Sequence, residues 1–130
     1  MKILLKGARM IDPSQGLDGP GDILIDGESI GKIGEVLNTE DCDVVDCRGL
    51  VAAPGLVDMH VHLRDPGQTH KEDVYSACRA AAAGGVTSLL AMPNTTPPMD
   101  SPELIENLLD RAKTADARVY TAACVTKNMS

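Results

Sequence analysis

Asp58-Met59-His60-Val61-His62 sets two imidazoles two residues apart at the end of an apolar run, a spacing with a chemical use. In an extended chain, side chains at i and i+2 leave the same face, so His60 and His62 project together. Two neutral imidazoles converging at a strand end can hold a divalent transition metal such as zinc, at about 2.1 Å per nitrogen. The same pattern also fits a pair of strand histidines that bind nothing. Asp58 could orient one ring through a hydrogen bond, or simply cap a turn. Arg64 lies two positions beyond His62, where a guanidinium suits bidentate recognition of a carboxylate, although a solvated surface arginine has the same spacing. Asn94 takes the matching place after the next strand, in Met92-Pro93-Asn94-Thr95. Its amide could donate to a carboxylate or accept from a ring N–H, or it could serve only as a turn residue. His70 reads as a surface residue in the first turn of a helix.

These residues need a frame to position them. The first fifty residues read as short strands joined by tight turns, Lys2–Ile11, Asp22–Ile25, Ser29–Val36 and Asp43–Cys47, with Asp26-Gly27 as a type I′ hairpin signal. A small antiparallel sheet over 1–50 is the expectation. The rhythm then changes. Leu50–Leu63 is an apolar run, and Arg64-Asp65-Pro66-Gly67 is a turn. Thr69 and Glu72 have capping-box spacing, so a helix is expected from there through the alanines to Gly84-Gly85. Val86–Met92 reads as a strand buried on both faces. A loop over Pro93–Asp100 leads to a second helix that carries Leu104, Ile105, Leu108, Leu109 and Ala112 on one face. Arg118–Val125 reads as a third strand, with Cys124 in it.

The order over 51–130 is strand–helix–strand–helix–strand, with the strand starts about thirty residues apart as in βαβ units. In a barrel of such units the C-terminal strand ends form the active-site mouth, where His60 and His62 would lie. The chain has 130 residues, against about 250 for a complete α/β barrel. It ends where the loop after the third strand would begin, so a truncated barrel is the expectation.

Composition narrows the function classes. A net charge of −7 disfavours nucleic acid and anionic membrane surfaces, which call for clustered Lys and Arg. No signal peptide is visible, and no apolar stretch approaches the roughly 18 residues of a membrane span. The cytoplasm is the expected address. Cys42, Cys47, Cys78 and Cys124 then read as buried free thiols, since the Cys42–Cys47 gap matches no common zinc spacing. Apolar residues make up 43%, with no Phe or Trp and two Tyr, so aliphatic side chains must fill the core.

The run Pro54-Gly55-Leu56-Val57-Asp58-Met59-His60-Val61-His62-Leu63-Arg64-Asp65-Pro66-Gly67 resembles the signature of dihydroorotases within the amidohydrolase superfamily. Gln68–Asp73, the Ala81–Thr87 block and Ala91–Thr95 also resemble that family, in its longer bacterial type. The resemblance implies a (β/α)8 barrel, here its first three strands and two helices, preceded by strands of a small β-sandwich. It implies a zinc centre of one or two ions with His60 and His62 as ligands. It also implies that His62, Arg64 and Asn94 contact substrate, Arg64 and Asn94 on its carboxylate. The reaction would be reversible cyclisation of N-carbamoyl-L-aspartate to L-dihydroorotate in pyrimidine synthesis. The family's other ligands and its proton-shuttling aspartate would lie beyond Ser130, so the 130-residue chain alone is expected to be inactive. Allantoinases and dihydropyrimidinases share the histidine pair but act on substrates without a carboxylate, which makes Arg64 the discriminating residue. A non-catalytic dihydroorotase-like partner of aspartate transcarbamoylase is a further alternative, as is a stand-alone binding module. A homodimer or an association with aspartate transcarbamoylase also stays open.

Overall fold

The computed structural model describes residues 1–38 and 40–130 and divides into two compact units, Met1–Pro54 and Gly55–Ser130. In the first, β1 (Lys2–Asp12), β2 (Leu17–Asp26) and β3 (Ser29–Gly34) form an antiparallel meander. The β2–β3 turn is made by Gly27 and Glu28, because Asp26 already pairs with Ser29. Of those two turn residues Gly27 alone has a positive φ, of 60°, so the turn is not the type I′ expected from Asp26-Gly27.

The expected purely antiparallel sheet is mixed. β4 (Asp43–Asp46) and β5 (Val51–Ala52) both run parallel to β1, on the edge that β2 leaves free. The cause is the length of β1, 11 residues, which offers one edge to two short strands. β4 pairs with Ile3–Lys6 and β5 with Arg9 and Met10. A bulge between Leu5 and Ala8 separates the two stretches, and Gly7 there has a φ of 75°. The predicted apolar strand over Leu50–Leu63 is therefore two strands, its first residues belonging to this sheet.

Asp22 holds the bulge. Its carboxylate is 2% exposed and accepts from Gly7 N–H at 2.8 Å and Leu37 N–H at 2.9 Å. The Leu37 amide, above all, holds this carboxyl below the usual carboxylate range. Stability from Asp22 is thus fully present above the unfolded carboxylate range of about 4 and is lost as pH falls through the lower folded value. Replacing Asp22 by alanine is expected to cost about 2–4 kcal/mol at pH 7, since it strands the buried Leu37 amide and the half-buried Gly7 amide. Urea unfolding with amide exchange at Gly7 and Leu37 checks this, and the gap to wild type should shrink below about pH 4.

The second unit alternates β6 (Leu56–Val61), α1 (Val74–Ala83), β7 (Val86–Ala91), α2 (Pro102–Ala112) and β8 (Arg118–Thr121). The three strands are parallel in the order β6-β7-β8. Period-2 alternation turns Leu89, Ala91 and Val119 into the helix-facing core, where Leu63, Val74, Cys78, Met99 and Leu108 meet them. No ring enters that core: Tyr75 and Tyr120 are both exposed. Ala77 of α1 and Ala112 of α2 belong to that core, with Ala81 packed against it.

α1 begins four residues later than the Thr69/Glu72 spacing predicts. Asp73 is the N-cap, accepting from Tyr75 N–H at 2.9 Å and Ser76 N–H at 2.8 Å, while Ser76 Oγ receives the Asp73 N–H. Glu72 instead takes the Ser76 hydroxyl proton, so the competing box wins on two backbone amides. His70 consequently lies in the turn before the helix, exposed. β8 stops at Thr121, and Cys124 falls in the following loop, its N–H donating to Met99 O at 2.8 Å. All four cysteines are free; Cys47 and Cys78 are buried, Cys42 and Cys124 only partly. Burial pushes the Cys78 thiol up. Among the described residues, no helix is long and apolar enough to cross a membrane.

Candidate active-site strand ends

His60 lies near the end of β6 and His62 just beyond it. Their rings stand 5.2 Å apart centre to centre, edge to face at 68°. The β6–β7 register slips between Asp58 and Val61, so His60 sits in an irregular stretch of ladder. Such irregularities re-aim side chains and gather near active sites. Asp58 does not orient a ring through a hydrogen bond. Its Oδ1 accepts the backbone N–H of His60 at 3.0 Å, the local turn role left open by the sequence.

The parallel ladder continues one step past β7 through Met92 N–H to Val61 O, at 2.8 Å. That step carries Asn94 to His62, and His62 Nδ1 lies 2.8 Å from Asn94 Oδ1. With the amide oxygen facing the ring, this bond calls for a proton on Nδ1 and leaves Nε2 as the ring's free nitrogen. Asn94 Nδ2 is left to donate elsewhere.

Arg64 sits on the same loop, half-buried, at a φ of 61°. Its carbonyl accepts from Gln68 N–H at 2.9 Å. Among the described residues its guanidinium makes no hydrogen bond or ion pair. The two loops are joined: Thr96 N–H donates to Pro66 O at 3.2 Å, and Gly67, at a φ of 92°, lies against the Thr96 backbone. The histidine pair and Asn94 thus come together at one end of the sheet, with Arg64 two residues on. A separate cleft, lined by Ser88, Lys113, Asp116 and Arg118, opens at the start of β7 and β8, remote from them in the fold.

The description that matches this chain is that of the dihydro-orotase-like family, whose model aligns with residues 49–128. The chain belongs to the dihydro-orotase-like family. Over 126 residues it is 45% identical to the dihydroorotase of Streptococcus thermophilus, covering 97% of this chain and 30% of that one. Over 128 residues it is 42% identical to the dihydroorotase of Aquifex aeolicus, covering 98% and 30%. In structure it is similar to the L-hydantoinase (dihydropyrimidinase) of Arthrobacter aurescens, with a TM-score of 0.80 over 98% of this chain and 29% of that one, at 22% identity. That likeness shows the fold, the opening α/β part of a TIM barrel. The dihydro-orotase-like chain spans about 30% of the length of the curated relatives it matches.

Dihydroorotases and hydantoinases are metal-dependent amidohydrolases. Among the described residues of this dihydro-orotase-like chain, no group of three or more His, Cys, Asp and Glu could by itself hold an ion. One buried ion pair next to Arg64 was not foreseen from the sequence. Asp65, taken as a turn residue, is 2% exposed and receives both Arg111 η-nitrogens, Nη1 at 2.8 Å and Nη2 at 2.7 Å. The bond to Asp65 holds the Arg111 guanidinium still further above its ordinary pKa. The signal was present in the helix. Arg111 falls three residues after Leu108 and seven after Leu104, on the apolar face, where a charge needs a buried partner.

Proposed function

We propose that the whole protein is a dihydroorotase, interconverting N-carbamoyl-L-aspartate and L-dihydroorotate in cytoplasmic pyrimidine synthesis. One observation carries the reading: His60, His62 and Asn94 converge at one strand end, with Arg64 two residues on. The chain's dihydroorotase relatives support it.

The donor set fits a zinc ion in part. Two imidazoles stand side by side, and the His62–Asn94 contact fixes the tautomer that leaves Nε2 free to ligate. His60 and His62 would supply two nitrogens of a one- or two-ion centre, and the other ligands would come from residues outside this chain. A bound divalent ion supplies Lewis acidity there, polarising an amide carbonyl and making water a stronger nucleophile at neutral pH. The chain's own residues bind and orient. The Arg64 guanidinium, without a protein partner among the described residues, would pair with the substrate carboxylate, and Asn94 Nδ2 would donate to the same group while Oδ1 keeps His62 in place. An aspartate outside this chain would carry the proton to the departing ring nitrogen.

Ring opening of dihydroorotate by the full-length protein, with and without a chelator, tests this directly. Arg64→Ala should remove a charge-assisted carboxylate contact of about 1.5–3 kcal/mol, lowering kcat/KM roughly 10- to 150-fold. Turnover that ignores both chelator and substitution would overturn the reading.

The structural likeness to a hydantoinase favours a second reading, a cyclic amidohydrolase for substrates without a carboxylate. Arg64 then has no partner, and its loss should leave hydantoin or allantoin opening unchanged. Light scattering of the whole protein, alone and with aspartate transcarbamoylase, tests for a homodimer or that association.

A further inference from the structure

Arg64 adopts a backbone conformation that L-residues rarely take, at a φ of 61°. Such a residue persists only where its surroundings over-determine it, and such positions gather at ligand clamps. The surroundings here can be named. The next residue, Asp65, is tied by Arg111 from the last turn of α2 and accepts Val74 N–H, the first amide of α1, at 3.4 Å. Pro66 O then takes the Thr96 N–H, and Arg64 O takes the Gln68 N–H.

Packing alone does not call for charge at this position. Apolar residues of similar volume usually serve a core as well as a buried ion pair does, and sometimes better. What the ion pair adds is direction: two parallel bonds fix the Asp65 carboxylate in position and angle. Arg111 Nε is buried without a hydrogen-bond partner, and Asp65 is the guanidinium's only hydrogen-bond partner among the described residues. We propose that Asp65 and Arg111 are positioning residues for Arg64, holding the loop backbone so that the Arg64 guanidinium meets the substrate carboxylate. This rests on the carboxylate-binding role proposed for Arg64.

The test uses the full-length protein and L-dihydroorotate, with wild type, Arg64→Ala, Arg111→Met, Arg111→Lys and the Arg64→Ala/Arg111→Met double variant. Thermal melting controls for folding. Arg111→Met should raise KM about tenfold while kcat changes less than about threefold, the pattern of lost ground-state binding. Arg111→Lys, which keeps a charge for Asp65, should recover most of that loss. In the Arg64→Ala background Arg111→Met should change KM no further, because its effect passes through Arg64. If the two losses multiply, or if kcat falls in step with melting temperature, the positioning role is overturned. If Arg111→Met does not fold, Asp65→Asn takes its place in the same cycle: a KM change that vanishes in the Arg64→Ala background supports the role, and one that multiplies with it overturns it. If Arg64→Ala leaves KM unchanged in an active enzyme, the carboxylate reading fails first, and that outcome is read independently of Arg111.

Discussion

His62→Ala is expected to strip the whole protein of bound metal and lower turnover about a thousandfold or more. A Lewis-acid ion contributes several kcal/mol to the transition state, and each 1.36 kcal/mol is a tenfold change in rate. His62 stands out among the proposed ligands because the structure gives it a built orientation, through Nδ1 to Asn94 Oδ1 at 2.8 Å. His60 has a backbone bond to Asp58 but no side-chain hydrogen-bond partner among the described residues. Removing the orienting partner alone should do less. Asn94→Ala is expected to weaken metal affinity about 10- to 100-fold, the usual cost of losing a ligand's supporting bond. Elemental analysis of the purified variants, paired with steady-state rates, separates the two cases. A His62→Ala protein with stoichiometric metal and near-normal rates would remove His62 from the ligand set.

Gly67→Ala should produce the largest loss of stability from a single added methyl. At a φ of 92° an L-residue is already strained, by about 1–2 kcal/mol. The new Cβ would also overlap the carbonyl carbon and oxygen of Thr96, backbone atoms that cannot rotate aside. The two loops would have to part, breaking the Thr96-to-Pro66 bond and loosening the His62–Asn94 contact beside it. A total cost of about 2–5 kcal/mol follows from strain plus overpacking. Gly16→Ala supplies the comparison. Gly16 has a φ of 65° but no atom within 4 Å of an added Cβ, so it should show only the conformational cost of about 1–2 kcal/mol. Chemical unfolding of both variants, with exchange at the Thr96 amide, measures the difference. Equal losses would mean that the loop contact contributes nothing.

What could be read in the residue order was local. The alternation of β6, α1, β7, α2 and β8 follows from periods of 2 and 3.6 within short windows, and the α2 face of Leu104, Ile105, Leu108 and Ala112 is buried or half-buried as its spacing requires. The strand-end histidines could be found for the same reason. What escaped depends on pairing at a distance. Nothing within Asp43–Asp46 or Val51–Ala52 says that they will run parallel to a strand some forty residues earlier. The start of α1 was a contest between two nearby acidic boxes, decided by which carboxylate reached two amides. Asp65 looked like a turn former because Pro66 and Gly67 follow it, and its partner lies 46 residues away. Arg111 on an apolar helix face was the one local sign of that partnership.

The bond between Asp65 and Arg111 also limits how this sequence can be recombined. Repeated βα units invite the idea that one unit can be exchanged for its counterpart from a relative. Here the first unit's loop acid reaches its only side-chain partner, among the described residues, in the second unit's helix. A chimaera with a crossover anywhere between residues 65 and 111 takes acid and base from different parents. Such a hybrid keeps its loop in order only where both parents carry the matching pair, whatever their identity elsewhere.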